Sequence, residues 1–132
     1  MSRSTEAQVA LGVNAAIAAY TQALDEGRTA DIVATFCPDG ATEIMGVGTF
    51  TGHEALQGVY SGMVPTAPQK HLIANTVITS WTENEATAVS DLVFIQRGEA
   101  GWGVGIVGRY EDTLRLHEGL WRFQHRNLTY VM

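Results

Sequence analysis

A tyrosine, an aspartate and a histidine carry the chemistry open to this chain of 132 residues. Tyr20 and Asp25 close the first amphipathic segment, and His71 opens the run Lys70-His71-Leu72-Ile73-Ala74-Asn75. A phenol can donate to a substrate carbonyl or to a developing enolate. A carboxyl drawn out of water is pushed toward its neutral form and can serve as general acid or base. Imidazole titrates near neutrality, so one ring can take a proton from carbon and return it to a departing hydroxyl. The three types together suit proton transfer on a carbonyl compound. Each also has an ordinary alternative. Tyr20 fits a core ring whose hydroxyl meets a backbone carbonyl, Asp25 a surface residue beside Glu26 and Arg28, and His71 a buried histidine with both nitrogens satisfied.

The elements that must position them follow from periodicity. Val9, Val13, Ala16, Ile17, Tyr20 and Leu24 recur every three or four residues, which predicts a long helix stopped by Gly27. A second helix is expected with Thr29 as N-cap, Ile32, Val33 and Phe36 turned inward, and Pro38 at its end. Thr42-Glu43-Ile44-Met45 and Gly48-Thr49-Phe50 read as a short hairpin around Gly46, and Gly52-His53-Glu54 starts a third helix with Leu56, Val59, Tyr60 and Met63. Long strands are expected over 70–81, 85–97, 101–116 and 119–131, with Glu83-Asn84, Arg97-Gly98-Glu99 and His117-Glu118-Gly119 as turns. Helices first and strands after give an α+β fold, a mostly antiparallel sheet wrapping three helices. Gly101, Gly103, Gly105 and Gly108 within one strand predict strong curvature.

Alternation along that first long strand puts His71 on a face with Ile73 and Val77. Folding about Glu83-Asn84 brings Phe94 to Gln96 opposite His71, which makes Phe94 a candidate wall of the substrate site. Asp91 interrupts Val89, Val93 and Ile95. A two-residue turn sends it to the face away from His71, bonded at an interface or to Arg109, whereas a one-residue slip would reverse the faces. His53, His117 and His125 belong to a helix start, a turn and the last strand.

Composition narrows the partners. Apolar residues make up 45% of the chain and charged ones 17%, a globular balance for one domain over 1–132. A formal charge of −6, with only eight scattered Lys and Arg, argues against nucleic acid and against an anionic membrane surface. Cys37 is alone, so there is no internal disulfide; beside Phe36 it is expected as a small core residue of a helix turn. No apolar run approaches the ~18 residues of a membrane span, and Met1-Ser2-Arg3-Ser4-Thr5-Glu6 lacks the regions of a signal peptide, so the cytoplasm is the expected compartment. No His/Cys/Glu pair has metal-ligand spacing on one element and no Gly-rich loop joins a strand to a helix, so neither a metal nor a cofactor is expected.

Gly108-Arg109-Tyr110-Glu111-Asp112-Thr113-Leu114, followed by Glu118-Gly119-Leu120-Trp121-Arg122-Phe123 and Arg126, resembles the paired C-terminal motifs of the SnoaL-like branch of the NTF2-like superfamily. The resemblance covers nearly the whole chain. It implies a cone-shaped α+β barrel with a deep apolar cavity, commonly assembled as a dimer or trimer through its sheet. Within that family, Tyr20-Thr21-Gln22-Ala23-Leu24-Asp25 and His71 look like the tyrosine, aspartate and histidine of scytalone dehydratase and bile acid 7α-dehydratase. The second histidine or aspartate that those enzymes carry on the next strand has no counterpart here. The resemblance therefore implies a cofactor-independent dehydratase or isomerase acting on a small hydrophobic polyketide- or steroid-like carbonyl compound. In it Tyr20 would polarise the oxygen, His71 would move the proton, and Asp25 would orient or assist. The family also hosts non-enzymes, so a ligand-binding or scaffold domain stands beside the enzyme.

Overall fold

The computed structural model describes residues 4–131; Met1 to Arg3, on which half of the leader-peptide reading rests, lie outside the described residues. Helix α1 spans Glu6–Glu26. Thr5 opens it with a reciprocal capping box to Gln8, and Gly27 closes it in the left-handed conformation (φ 71°), a backbone state that costs glycine little. Helix α2 is short, Thr29–Ala34, and helix α3 is His53–Ser61. Strands follow as β1 (Phe36–Ile44), β2 (Gly48–Thr51), β3 (Gln69–Trp81), β4 (Glu85–Gly98), β5 (Gly101–His117) and β6 (Leu120–Tyr130). They form one sheet in the order β2-β1-β6-β5-β4-β3. Among the described residues only the β1–β6 pair is parallel, which makes the sheet mostly antiparallel as the sequence indicates. Among the described residues no helix is long and apolar enough to cross a membrane.

One element boundary differs from the sequence reading. Phe36, Cys37 and Pro38 lie in β1 rather than in α2, and Arg28, not Thr29, holds the N-cap position. The helix stops because β6 captures the chain: the Phe123 amide donates to the Thr35 carbonyl, and Arg122 Nη1 donates to the Ala34 carbonyl at 2.6 Å. Tertiary hydrogen bonding outweighs a weak local preference here. Cys37 is buried as expected, though on a strand.

The core lies between α1 and the inner sheet face, where Val9, Val13, Ile17 and Leu24 meet Ala86, Ala88, Leu92, Leu114 and Phe123. The outer face leaves Leu72, Val77 and Val107 exposed. Two irregularities in β3, at 75–76 and at 79, shift its register against β4. At the first, Asn75 takes a positive φ of 56°, which asparagine tolerates better than most residues. The bulge turns Thr76 inward to Ser90 and sends Val77 out, 54% exposed, so His71 shares its face with Ile73 but not with Val77. The two one-residue slips run the same way and add to two, an even shift that restores the faces expected from a two-residue turn. Asp91 therefore stays on the face away from His71, opposite Ala74, and accepts from Asn75 Nδ2 at 2.7 Å instead of pairing with Arg109.

Helix α1 can approach β6 closely because residue 12 is glycine. A Cβ there would stand 2.2 Å from Trp121 Cδ1, inside the contact distance of the indole ring. Gly12→Ala is expected to lower stability by up to about 2 kcal/mol, since overpacking of about 1–3 kcal/mol is set against roughly 1 kcal/mol of helix propensity gained. Urea denaturation read by tryptophan fluorescence checks it; an unchanged or higher midpoint would show that the indole moves aside freely.

Candidate active site

Asp25 occupies the last turn of α1, and His71 the third position of β3, on the inner face. Helix and strand meet through the carboxylate. Asp25 Oδ1 lies 2.5 Å from His71 Nδ1, and Oδ2 accepts the His71 backbone N–H at 2.8 Å. Gln69 Nε2 adds a third donor to Oδ1 at 3.1 Å. The side chains are 6% exposed for Asp25 and 13% for His71, so the pair is largely withdrawn from water. A carboxylate only accepts, which assigns the proton of this bond to Nδ1; in the neutral ring the lone pair then lies on Nε2. Among the described residues nothing hydrogen-bonds Nε2.

The ring of His71 packs on Phe94, its register partner on β4, with centroids 4.7 Å apart. Phe94 keeps its place because Gly105 has no side chain: a Cβ there would stand 3.0 Å from Phe94 Cδ1. Two hollows meet at the pair. An apolar pocket of about 170 Å³ is walled by Leu24, Met63, Phe94 and Ile106, with Gln69 and His71. A more polar groove of about 570 Å³ runs between α1 and β3, past Asn14, Thr21, Gln22 and Lys70. Among the described residues no group of three His, Cys, Asp or Glu gathers as a metal-binding set.

Tyr20 does not join the pair. It lies five helical positions before Asp25, a rotation of roughly 140° around the axis, so one faces the sheet core while the other faces β3. The Tyr20 hydroxyl is 2.8 Å from that of Tyr60, which donates to Thr42 Oγ1 at 3.1 Å. Burial pushes the Tyr20 hydroxyl well above the usual tyrosine range, with Tyr60 and Tyr110 adding to the rise. Tyr20 lines neither hollow at the pair. The deep apolar cavity expected around it is filled: Tyr20, Phe36, Tyr60, Tyr110 and Phe123 stack edge to face or tilted, and Arg126 sits among them.

Arg126 is fully buried. Its guanidinium carbon lies 3.5 Å from the Tyr110 ring centroid, 4.3 Å from that of Tyr20 and 4.5 Å from that of Phe123. Its Nε stands 3.1 Å from Asp112 Oδ1, close enough for an ion pair yet without hydrogen-bond alignment. The partners respond oppositely to burial. Desolvation pushes the Asp112 carboxyl up to about 6 against the pull of Arg126, whereas Arg126 is held charged by Asp112 and Tyr110 despite its own desolvation. Arg126 stays cationic because a guanidinium does not deprotonate in proteins, and Asp112 is the member that titrates.

A profile of the family described as the SnoaL-like domain matches residues 5–127. A search of curated proteins returns no match. Solved structures of similar fold include a protein of unknown function from Mycobacterium tuberculosis, 24% identical, with TM-score 0.87 over 93% of this chain and 72% of its own. A protein from Novosphingobium aromaticivorans, provisionally assigned as a scytalone dehydratase, is 24% identical, with TM-score 0.83 over 94% and 85%. A type 2 hexachlorocyclohexane dehydrochlorinase is 14% identical, with TM-score 0.80 over 94% and 86%. At these identities the likeness is one of fold.

The buried carboxyl gives a pH signature. A folded-state value near 6 against 3.8 unfolded means that the native chain binds the extra proton between the two, so this group's contribution falls as pH rises from about 4 to about 6. Comparing urea midpoints of the wild type and Asp112→Asn across that range isolates it. The difference should change with pH in that sense, and a constant difference would contradict the assignment.

Proposed function

The chain belongs to the SnoaL-like family, and on that footing we propose that it is a cofactor-independent lyase or isomerase, with His71 as general base and Asp25 as its orienting partner, acting on a small hydrophobic carbonyl compound. The observation that carries the proposal is the enclosed Asp25–His71 bond, which fixes the tautomer and leaves Nε2 unbonded beside an apolar pocket. Substrate carbon gives its α-proton to Nε2, and the imidazolium so formed is stabilised by the Asp25 carboxylate. In the lyase case the electron pair of the broken C–H bond forms C=C as the C–O bond breaks, and His71 returns the proton so that water departs. In the isomerase case the proton goes back to a different carbon.

The pocket residues sharpen both cases. Apart from His71 and the amide of Gln69, the apolar pocket is walled by Leu24, Met63, Phe94 and Ile106, with no acid among them. We assign both proton steps to this one ring, which predicts transfer on a single face of the substrate. A pocket of about 170 Å³ is close to the volume that takes one aromatic ring, so we place a ring-sized apolar portion there and the remainder toward the groove. Tyr20 has no part in this proposal. A second reading, a ligand-holding or oligomeric domain without turnover, draws on the exposed Leu72, Val77 and Val107, which would suit a second copy of this chain.

Small hydrophobic ketones and β-hydroxy ketones incubated in D₂O, followed by NMR and mass spectrometry, should show deuterium entering next to the carbonyl, and dehydration where a hydroxyl is present. His71→Ala and Asp25→Asn should each lower the rate by about 10²–10⁴. Equal exchange by wild type and His71→Ala would eliminate the base, and binding without exchange in both would favour the second reading.

A further inference from the structure

We infer that Gln69 is a positioning residue of this site, holding the Asp25 carboxylate in the rotation that aims its oxygen at His71 Nδ1. The inference builds on the proposal that Asp25 and His71 act together, and it names a third member that no sequence signal of acid–base chemistry would select.

Gln69 and His71 are two apart on β3, so both side chains leave the same face of the sheet. The backbone beneath them is fixed. Gln69 pairs with Gln96, Lys70 with Ile95 and His71 with Phe94, and the Pro68 carbonyl accepts the Arg97 amide at 2.9 Å. From this rigid edge three donors reach one carboxylate. The His71 amide holds Oδ2 at 2.8 Å, while Nδ1 at 2.5 Å and Gln69 Nε2 at 3.1 Å share Oδ1. A carboxylate cannot donate, so the contact assigns the Gln69 nitrogen, not its oxygen, to Asp25.

Two of the three donors come from His71 itself, and the one on Oδ1 moves with the imidazole. Gln69 reaches Oδ1 from a separate side chain, so that oxygen stays directed at β3 when the ring moves. The same amide lines the apolar pocket, so its bond to Asp25 also ties the pocket wall to the pair.

Gln69→Met keeps the volume and removes the donor. Gln69→Asn keeps an amide one carbon too short to reach, and it serves if the methionine variant folds poorly. The probe is the low-field proton resonance of His71 Nδ1–H in ¹⁵N-labelled full-length protein, which needs no substrate. Either variant should move that resonance upfield and speed its exchange with water at least tenfold, and Asp25→Asn should abolish it. On a carbonyl compound that the wild type turns over, kcat should fall on the order of tenfold to a hundredfold with KM nearly unchanged. An Nδ1 proton unchanged in both Gln69 variants but lost in Asp25→Asn would overturn the inference and reduce Gln69 to pocket wall. Absence of turnover by the wild type, with the resonance responding as expected, would overturn the proposed activity and leave the positioning role supported.

Discussion

One carboxylate joins the two halves of the site. Asp25 ends the first helix, and all three of its donors come from the first and third residues of β3, 44 and 46 positions away. The helix brings a carboxylate, and the strand brings an imidazole whose ring would turn freely without it. Their junction fixes the tautomer of His71, the plane of its ring against Phe94, and the outlook of Nε2. Gly12 and Gly105 serve that junction from a distance, the first by letting α1 sit close to Trp121, the second by making room for Phe94.

Much of this was legible in the chain, and the misses share a cause. The helix stripe, its glycine stop and the four long strands are written in local periodicity, and they appear within a residue or two of their expected bounds. Phe36 to Pro38 went to a strand because β6, more than 80 residues later, supplies the hydrogen bonds. Grouping Tyr20 with Asp25 ignored the helical angle between them, which local spacing does contain. The face of Val77 was unreadable for a different reason. Strand alternation assumes an unbroken register, and Asn75 breaks it with one left-handed residue. Gln69 carried no signal, since an amide gains its meaning only from the carboxylate it meets.

The interior does something that the family resemblance did not imply. Where a deep apolar hollow was expected, five aromatic rings and a guanidinium fill the cone. Rings can accept a cation on their faces, and three do so around Arg126, which offsets part of the cost of removing that charge from water. Asp112 supplies the opposite charge but remains poorly aligned, so burial still dominates its titration. A filled centre displaces the usable space to the rim, between α1 and β3, where the two hollows meet.

The Asp112–Arg126 ion pair and the Asp25–His71 hydrogen bond can be told apart by what their positions cost. Arg126 is held among the rings of Tyr20, Tyr110 and Phe123 and lines neither hollow at His71, while Asp112 borders a separate hollow with Glu111, Thr113 and His125; the consequence of the pair is for stability. Asp25 stands at the C-terminal end of a helix, where the dipole disfavours an acid, and it is largely withdrawn from water as well. Three donors arranged to accept the carboxylate, with the histidine's other nitrogen left open on a pocket, are the arrangement expected when a charge is kept for what it does to a neighbour. Placement against local preference, compensated by converging hydrogen bonds, is the physical ground for reading Asp25 and His71 as machinery and Asp112 and Arg126 as framework.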